Sequence, residues 1–453
     1  MNLYTMLEQR DEAGSPVKVG LIGAGKFGAM FLAQAQRTKG LQVVGIADLS
    51  EERARDALIR TGWPENSMKR ASTAATINDT AAHGIVGLTE NSMELIAADV
   101  DVIIESTGIV EAGVPHALAA IDAGRHIIMV NVETDCCVGP ILYEKARKNN
   151  VVYSMAFGDQ PALVCQLFDW ARTCGFEVVA AGKGTKYLPE YHWSTPDTVW
   201  DYYGFTKEQV DGGDFNPKMF NSFLDGTKSA IEMTAIANAT GLKPQADGLH
   251  FPPVGCGRLQ EVLIPEADGG ILSHSGTVEV VSSLNRDGTE IADDLRWGVY
   301  VTLKAGNEYV ADCFEQYGVK TDATGKYAAM YRPSHLIGLE LGFSVASAAL
   351  RHEPTGTSQQ FLGDVGATAK KDLDPGERLD GEGGYTVFGK LIQARESLER
   401  GVLPLGLASG ITIKKRVPKG SLVTYNDIEI PQGNTAWTLR KEMERAFAGP
   451  ALE

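Results

Sequence analysis

Apolar and polar positions in the first third of the chain fall into two recurring patterns. VKVGLI (17–22), QVVGIAD (42–48), GIVGLT (84–89), DVIIEST (101–107), HIIMVN (126–131) and VVYSMA (151–156) are short, nearly continuous apolar runs. Such runs suit strands buried on both faces of a parallel sheet. Between them lie helical stretches: AMFLAQAQRTKG closed by Gly40, EERARDALIR, MELIAA, a stretch near 114–123 ended by Gly124, and LYEKARKN. Strand and helix in alternation predict an α/β fold, with a doubly wound parallel sheet of Rossmann type over residues 1–156.

The pattern then changes. PALVCQLFDWARTCG predicts a helix and FEVVAAGKG a strand that ends in a basic, glycine-containing loop. Residues 185–217 are irregular and rich in aromatics. SAIEMTAIANAT predicts a helix closed by Gly241, and TVEVVSS and RWGVYVTL have strand-like alternation. SHLIGLELGFSVASAAL predicts an apolar helix packed back on the first domain. These segments make an α+β substrate, catalytic and oligomerisation domain over 157–350. RHEPTGTSQQ has the composition of a linker. A small all-β block is expected over 362–453, with two similar phrases, AKKDLDPGERLD and KKRVPKGSLVTYNDI.

The first chemical signal is Gly23-Ala24-Gly25-Lys26-Phe27-Gly28, which follows a buried strand and opens a helix. In that context Gly23 allows the tight turn, Gly25 lets backbone approach a diphosphate, and Gly28 lets helix and strand pack closely. Lys26 and Phe27 lie at the positive end of the helix. The bland alternative is a structural glycine turn. Asp48 ends the second strand, where a carboxylate holds both ribose hydroxyls and repels a 2′-phosphate; that favours NAD over NADP. Arg53 and Arg55 just beyond would soften the choice, and a helix cap is the bland alternative for Asp48. The carboxyl ends of later strands bring Ser106, Thr107, Gly108, Asn131 and Glu133 to the same crevice. Glu133 and Asp159 are weighed equally as site residues and as helix caps.

In the second domain Lys183 and Lys186 flank Gly184, while Asp225, Lys228 and Glu232 recur at helical spacing and are expected on one face. A lysine, or a lysine beside a carboxylate, can exchange the hydroxyl proton as hydride moves; the rival is a solvated charge ladder. Asn238, Arg332 and His335 are candidates for substrate contact, Arg332 through bidentate binding of an anion. No HExxH, GxSxG or phosphate-binding P-loop is present, so no resident metal is expected, although Mg²⁺ held with substrate stays open. Among 453 residues the net charge of −16 argues against nucleic acid as a partner. No apolar run is long enough for a membrane span, and the amino terminus lacks a signal peptide's pattern, so a cytoplasmic protein with a small-molecule substrate is expected. The six cysteines lack CxxC spacing and are expected to be free.

Taken together, GLIGAGKFG, DVIIESTG, VNVETD, GKGTKY, FLDGTKSAIEMTAIANATGL and AKKDLDPGE resemble homoserine dehydrogenase-like oxidoreductases that carry a C-terminal SAF domain. That group includes the deoxyxylulose-phosphate reductoisomerase-like enzyme DRL. The resemblance spans nearly the whole chain. It implies an NAD(P)-dependent oxidoreductase acting on a small polar hydroxy or keto compound, phosphorylated or sugar-derived, in a homo-oligomer (dimer or tetramer). It supports Gly23, Gly25 and Gly28 as cofactor residues and the region of Lys183, Asp225, Lys228 and Glu232 as the substrate side. Gly158-Asp159-Gln160-Pro161 departs from the glycine-rich loop of homoserine dehydrogenases, and Asp48 departs from the NADPH preference of DRL. A DRL-like reductoisomerase, homoserine dehydrogenase itself and a non-catalytic cofactor-sensing or assembly protein are the alternatives.

Overall fold

The computed structural model describes residues 2–212 and 215–448. Met1 and 449–453, at the ends of the expected first and last blocks, and 213–214 within the second lie outside the described residues. The chain divides into two compact units, one reaching to Leu163 and including Leu336–Gln359, the other holding Val164–His335 and the chain from Gln360 onward.

The first unit is built on β1 (Val17–Ile22), β2 (Leu41–Ala47), β3 (Met68–Arg70), β4 (Val86–Thr89), β5 (Val102–Glu105), β6 (His126–Met129) and β7 (Tyr153–Met155). They form one parallel sheet in the order β3-β4-β2-β1-β5-β6-β7. Strands β2 and β5 flank β1 on opposite sides, so the strand order reverses at β1, and a crevice opens at the carboxyl ends there. The apolar runs are buried as expected: β1 reads Val17, Val19, Leu21 and Ile22 into the core, and β5 is buried throughout. The short edge strand β3 and the helix Ala74–Ala82 carry too weak a periodicity to read from sequence. That helix is fixed instead by a capping box at Thr73 and Thr76.

The apolar stretch at 334–350 is helical only over Gly342–Arg351. Gly338 takes φ +79 and breaks the preceding turn. As expected, this helix packs with the first unit, where Val345, Ala346 and Ala348 join its core.

The second unit holds β8 (Glu177–Thr185), β9 (Thr277–Ser282), β10 (Val299–Lys304) and β11 (Tyr327–Arg332) in the order β11-β10-β8-β9. Only the β8–β9 pair is parallel. Strand β8 runs through Gly182-Lys183-Gly184, so this segment is a central strand and not the loop expected from its glycines. The glycines serve packing: a Cβ at Gly182 would meet the Glu279 carbonyl oxygen, and one at Gly184 the Leu295 carbonyl. The helix Thr227–Thr240 is buried on almost every side, and it packs on β9 and on the antiparallel pair β12 (Gly363–Ala369) and β13 (Val387–Gln393). The C-terminal block adds isolated bridges and also the helices Ala394–Arg400 and Thr435–Phe447. All six cysteines are free. No helix among the described residues is long and apolar enough to cross a membrane.

Candidate functional site

The glycine loop joins β1 to the helix Lys26–Ala35. Gly23 takes φ +94, and a Cβ there would press on the Ser106 backbone of the neighbouring strand end. A Cβ at Gly28 would collide with the Gly23 carbonyl oxygen, so only glycine lets the helix start this close to the turn. Gly25 is the N-cap residue, is exposed, and a Cβ there would meet nothing. No side chain caps this helix. Its first N–H groups and positive dipole end therefore face open space beside Gly25, with exposed Lys26 and half-buried Phe27 next in the chain. That arrangement fits the diphosphate of a dinucleotide.

Asp48, at the end of β2, is tied into the loop. Its Oδ2 accepts from the Ala24 N–H at 2.8 Å, and its Oδ1 accepts from the Ser50 N–H at 3.1 Å and from Arg53 Nε at 2.8 Å. The carboxylate is thus engaged by Arg53, while Arg55 turns to Glu51. Beside it lies a cleft of about 420 Å³ lined by Glu51, Arg70, Ser72, Thr89, Asn91 and Ser92. Its position at the ends of β3 and β4 suits the adenosine half of such a ligand.

At the ends of β5 and β6 the polar side chains are interlocked. Ser106 Oγ lies 2.9 Å from both the Ile22 and Gly23 carbonyl oxygens. Gly108 takes φ +69 with open space beside it. Asn131 is fully buried and caps the helix Val132–Lys148: its Oδ1 accepts from the Thr134 N–H, and its Nδ2 donates to Thr107 Oγ1 at 3.3 Å and the Ile109 carbonyl at 3.1 Å. Glu133 lies half-buried in the first turn of that helix. Two residues absent from the sequence expectations complete the group. Glu105, fully buried, accepts from Thr107 Oγ1 at 2.6 Å and lies 3.1 Å from His116 Nδ1. His116 Nε2 lies 2.9 Å from Ser92 Oγ. The signal for Glu105 was present, a carboxylate closing an otherwise apolar run; none marked His116. Asp159 is buried immediately before the helix Gln160–Thr173, and its Oδ1 accepts from the adjacent Gln160 N–H at 3.0 Å, one residue short of the N2 or N3 donor that an N-cap side chain takes.

In the second unit Lys183 points from β8 to Glu232 on the buried helix, and the two form a buried ion pair. Asp225 does not share that helix face. It follows the helix Pro217–Leu224, and Gly226 at φ +88 separates it from the turn that carries Lys228 and Glu232. Asp225 pairs instead with Lys370 Nζ at 2.7 Å, and Lys370 also donates to the Ser194 and Gly384 carbonyls. Burial pushes the Asp225 carboxyl up, against the pull of Lys370. Lys186 donates to the Tyr202 carbonyl at 2.6 Å, and burial followed by the nearby Arg296 charge lowers its pKa. Asn238, expected at substrate, anchors the chain: its Oδ1 accepts from the Leu362 and Gly363 N–H groups at 2.8 and 3.0 Å. Arg332 ends β11, and His335 lies in the turn after it, with Nδ1 2.7 Å from the Trp297 carbonyl, so it does not start a helix. Among the described residues no group of three or more His, Cys, Asp or Glu is placed to hold a metal ion.

Two family models match the chain. Residues 17–130 match the oxidoreductase family with an NAD-binding Rossmann fold. Residues 158–341 match the catalytic domain of oxidoreductase DRL. The class these matches define is an oxidoreductase built on an NAD-binding Rossmann domain. No curated protein matches the chain in sequence. Among solved structures, the homoserine dehydrogenase of Thiobacillus denitrificans is similar at 15% identity over 74% of this chain and 74% of that one, with a TM-score of 0.41. The 1-deoxy-D-xylulose 5-phosphate reductoisomerase of Zymomonas mobilis, solved with NADPH, is similar at 13% identity over 75% of this chain and 82% of that one, with a TM-score of 0.37. The WlbA dehydrogenase of Bordetella pertussis, solved with NADH and UDP-GlcNAcA, is similar at 16% identity over 38% of this chain, with a TM-score of 0.27; the match spans 46% of that dehydrogenase's own length.

Proposed function

We propose that this chain is an NAD(P)-dependent oxidoreductase acting on a hydroxyl-bearing or carbonyl carbon of a small polar compound. The observation that carries this is the open, uncapped helix start at Gly25, in a segment that matches an NAD-binding family. When bound, the nicotinamide supplies or takes the hydride. The helix start and Lys26 hold the diphosphate, and the cleft beside Asp48 holds the adenosine. Asp48 favours NAD, because ribose hydroxyls replace Arg53 on its Oδ1; the same Arg53, released, gives a 2′-phosphate a partner. Lys183 Nζ, held by Glu232, passes the proton to the substrate oxygen or takes it away. Mg²⁺, if used, arrives with the substrate.

A thermal-shift titration with NAD and with NADP tests the reading. At least one is expected to raise the melting temperature, and Asp48→Ala should weaken NAD more than NADP. No shift with either nucleotide ends it. Lys183→Met is expected to lower turnover roughly 10²–10⁴-fold with unchanged cofactor affinity. The match to the DRL catalytic domain favours a second reading, a reductoisomerase acting on deoxyxylulose phosphate. Turnover of that compound, blocked by fosmidomycin, separates it from a simple dehydrogenase. The C-terminal block we read as SAF-like and the chain as a cytoplasmic homo-oligomer, a dimer or tetramer; light scattering of the purified protein tests the assembly.

A further inference from the structure

Strand β5 is Val102-Ile103-Ile104-Glu105, buried throughout. A fourth apolar residue would suit that position, yet a carboxylate stands there. One of its oxygens, Oε2, is buried with no hydrogen-bond partner among the described residues. Burying a half-satisfied carboxylate is unfavourable for the fold. Its other oxygen organises the crevice. Oε1 takes the Thr107 hydroxyl at 2.6 Å and lies 3.1 Å from His116 Nδ1. Thr107 in turn receives the Asn131 amide, and His116 reaches Ser92 on the wall of the adenosine-side cleft. A Cβ at Gly113 would collide with Thr134 and come within 2.6 Å of Asn131 Nδ2, so the helix carrying His116 closes tightly over this group.

We propose that Glu105 and His116 are positioning residues for a bound dinucleotide. They hold the Thr107–Gly108 turn and the Asn131 cap in place for the half of the ligand beyond the adenosine. The sheet order supports the division: β2 and β4, with Asp48 and the cleft, lie on one side of β1, and β5 and β6 on the other. Glu105 touches no ligand itself; it acts through Thr107. The proposal rests on the dinucleotide reading of this unit.

The test titrates NADH by fluorescence and AMP by calorimetry against the full chain, its Glu105→Gln and His116→Gln variants, and Thr107→Val and Thr107→Ser. Losing a hydrogen bond to a charged group at the hub is expected to weaken NADH about tenfold in the Glu105, His116 and Thr107→Val variants. AMP, which occupies the cleft side alone, should change by less than about twofold in the Glu105 and Thr107 variants; His116→Gln, which also loses the contact to Ser92 on the cleft wall, is read on NADH alone. Thr107→Ser, which keeps the hydroxyl, should bind NADH as the wild type does. If Glu105→Gln fails to fold, the His116 and Thr107 variants carry the comparison. Undiminished NADH affinity in the variants overturns the proposal. So does a parallel loss of NADH and AMP in the Glu105 and Thr107 variants, the mark of a generally loosened unit. A wild-type chain that binds no NADH refutes the dinucleotide reading itself, and the proposal falls with it.

Discussion

At Gly28 an added methyl would strike the Gly23 carbonyl, whereas at Gly25 it would enter open space. The two positions therefore separate folding from binding. Gly28→Ala forces helix and turn apart and is expected to destabilise the protein by about 1–3 kcal/mol. Gly25→Ala should stay within about 1 kcal/mol in stability yet, on the proposed reading, weaken nucleotide binding, because the methyl enters the space assigned there to the diphosphate. Denaturant melts and nucleotide titrations on the two variants check this, and a reversed pattern would remove Gly25 from the site. This loop was legible in the sequence because its geometry is local: strand, turn and helix are contiguous. Asp48 was legible by position but not by state, since its pairing with Arg53 is a side-chain event that spacing alone does not settle. His126 shows the same limit. Its Nδ1 accepts from the Val152 N–H at 3.0 Å, and burial with the neighbouring His352 lowers its pKa to about 4. A group whose folded pKa is depressed from 6.5 stabilises fully above that value and loses the contribution as pH falls towards 4. His126→Asn, which keeps an acceptor without the titration, should flatten the acid limb of melting temperature against pH between those values. An unaltered limb would show that other groups set it.

Elements were read well where a period of apolar residues persisted, and badly where glycine spoke for two structures at once. In Gly182-Lys183-Gly184 the glycines suggested a loop, but they let neighbouring backbone approach a central strand. In Asp225-Gly226-Thr227 the spacing suggested one helix face, but Gly226 at φ +88 divides two helices. The partner of Asp225 was invisible for another reason: Lys370 comes from the C-terminal block, and long-range pairing leaves no local trace. That pair ties the block to the start of the Thr227–Thr240 helix, with Gly389 N–H donating to Thr227 Oγ1 at 2.8 Å beside it. Removing one partner of such a buried pair strands the other charge. Lys370→Met should destabilise by roughly 3–5 kcal/mol. Adding Asp225→Asn to it should recover part of that loss. If the double variant is no more stable than the single one, the ion pair is not what holds these elements together. The buried Arg440–Asp364 pair anchors the helix Thr435–Phe447 to β12 by the same principle.

At the scale of the molecule, each unit hides a carboxyl that burial pushes up. In the first, Asp135 accepts from Tyr153 and Ser358 hydroxyls and rises to about 6; in the second, Glu279 accepts from the His250, Phe251 and Val280 N–H groups and from Gln245, and rises to about 7. Neither was legible as a special residue, because its environment is made by segments distant in sequence. Both raised values have the same sign. The folded state binds the proton more tightly than the unfolded chain, so the stability gained from it is complete below the unfolded value and is lost as pH rises through the folded one. For Glu279 the loss runs from about pH 4.5 to about pH 7 and amounts to something on the order of 3 kcal/mol. Glu279→Gln keeps the shape and a carbonyl acceptor for the His250 and Phe251 turn but removes the titration. Unfolding free energies by denaturant at pH 4.5, 6 and 8 should then show a shallower decline with pH than in the wild type. Asp135→Asn should do the same over its lower window, between about pH 4 and 6. The two windows overlap between about pH 4.5 and 6, so the variants are told apart by the slope above about pH 6, where only Glu279 still titrates. If either variant keeps the wild-type slope in its own window, the carboxyl there is already ionised at low pH in the folded protein, and its four-donor or two-hydroxyl setting outweighs its burial.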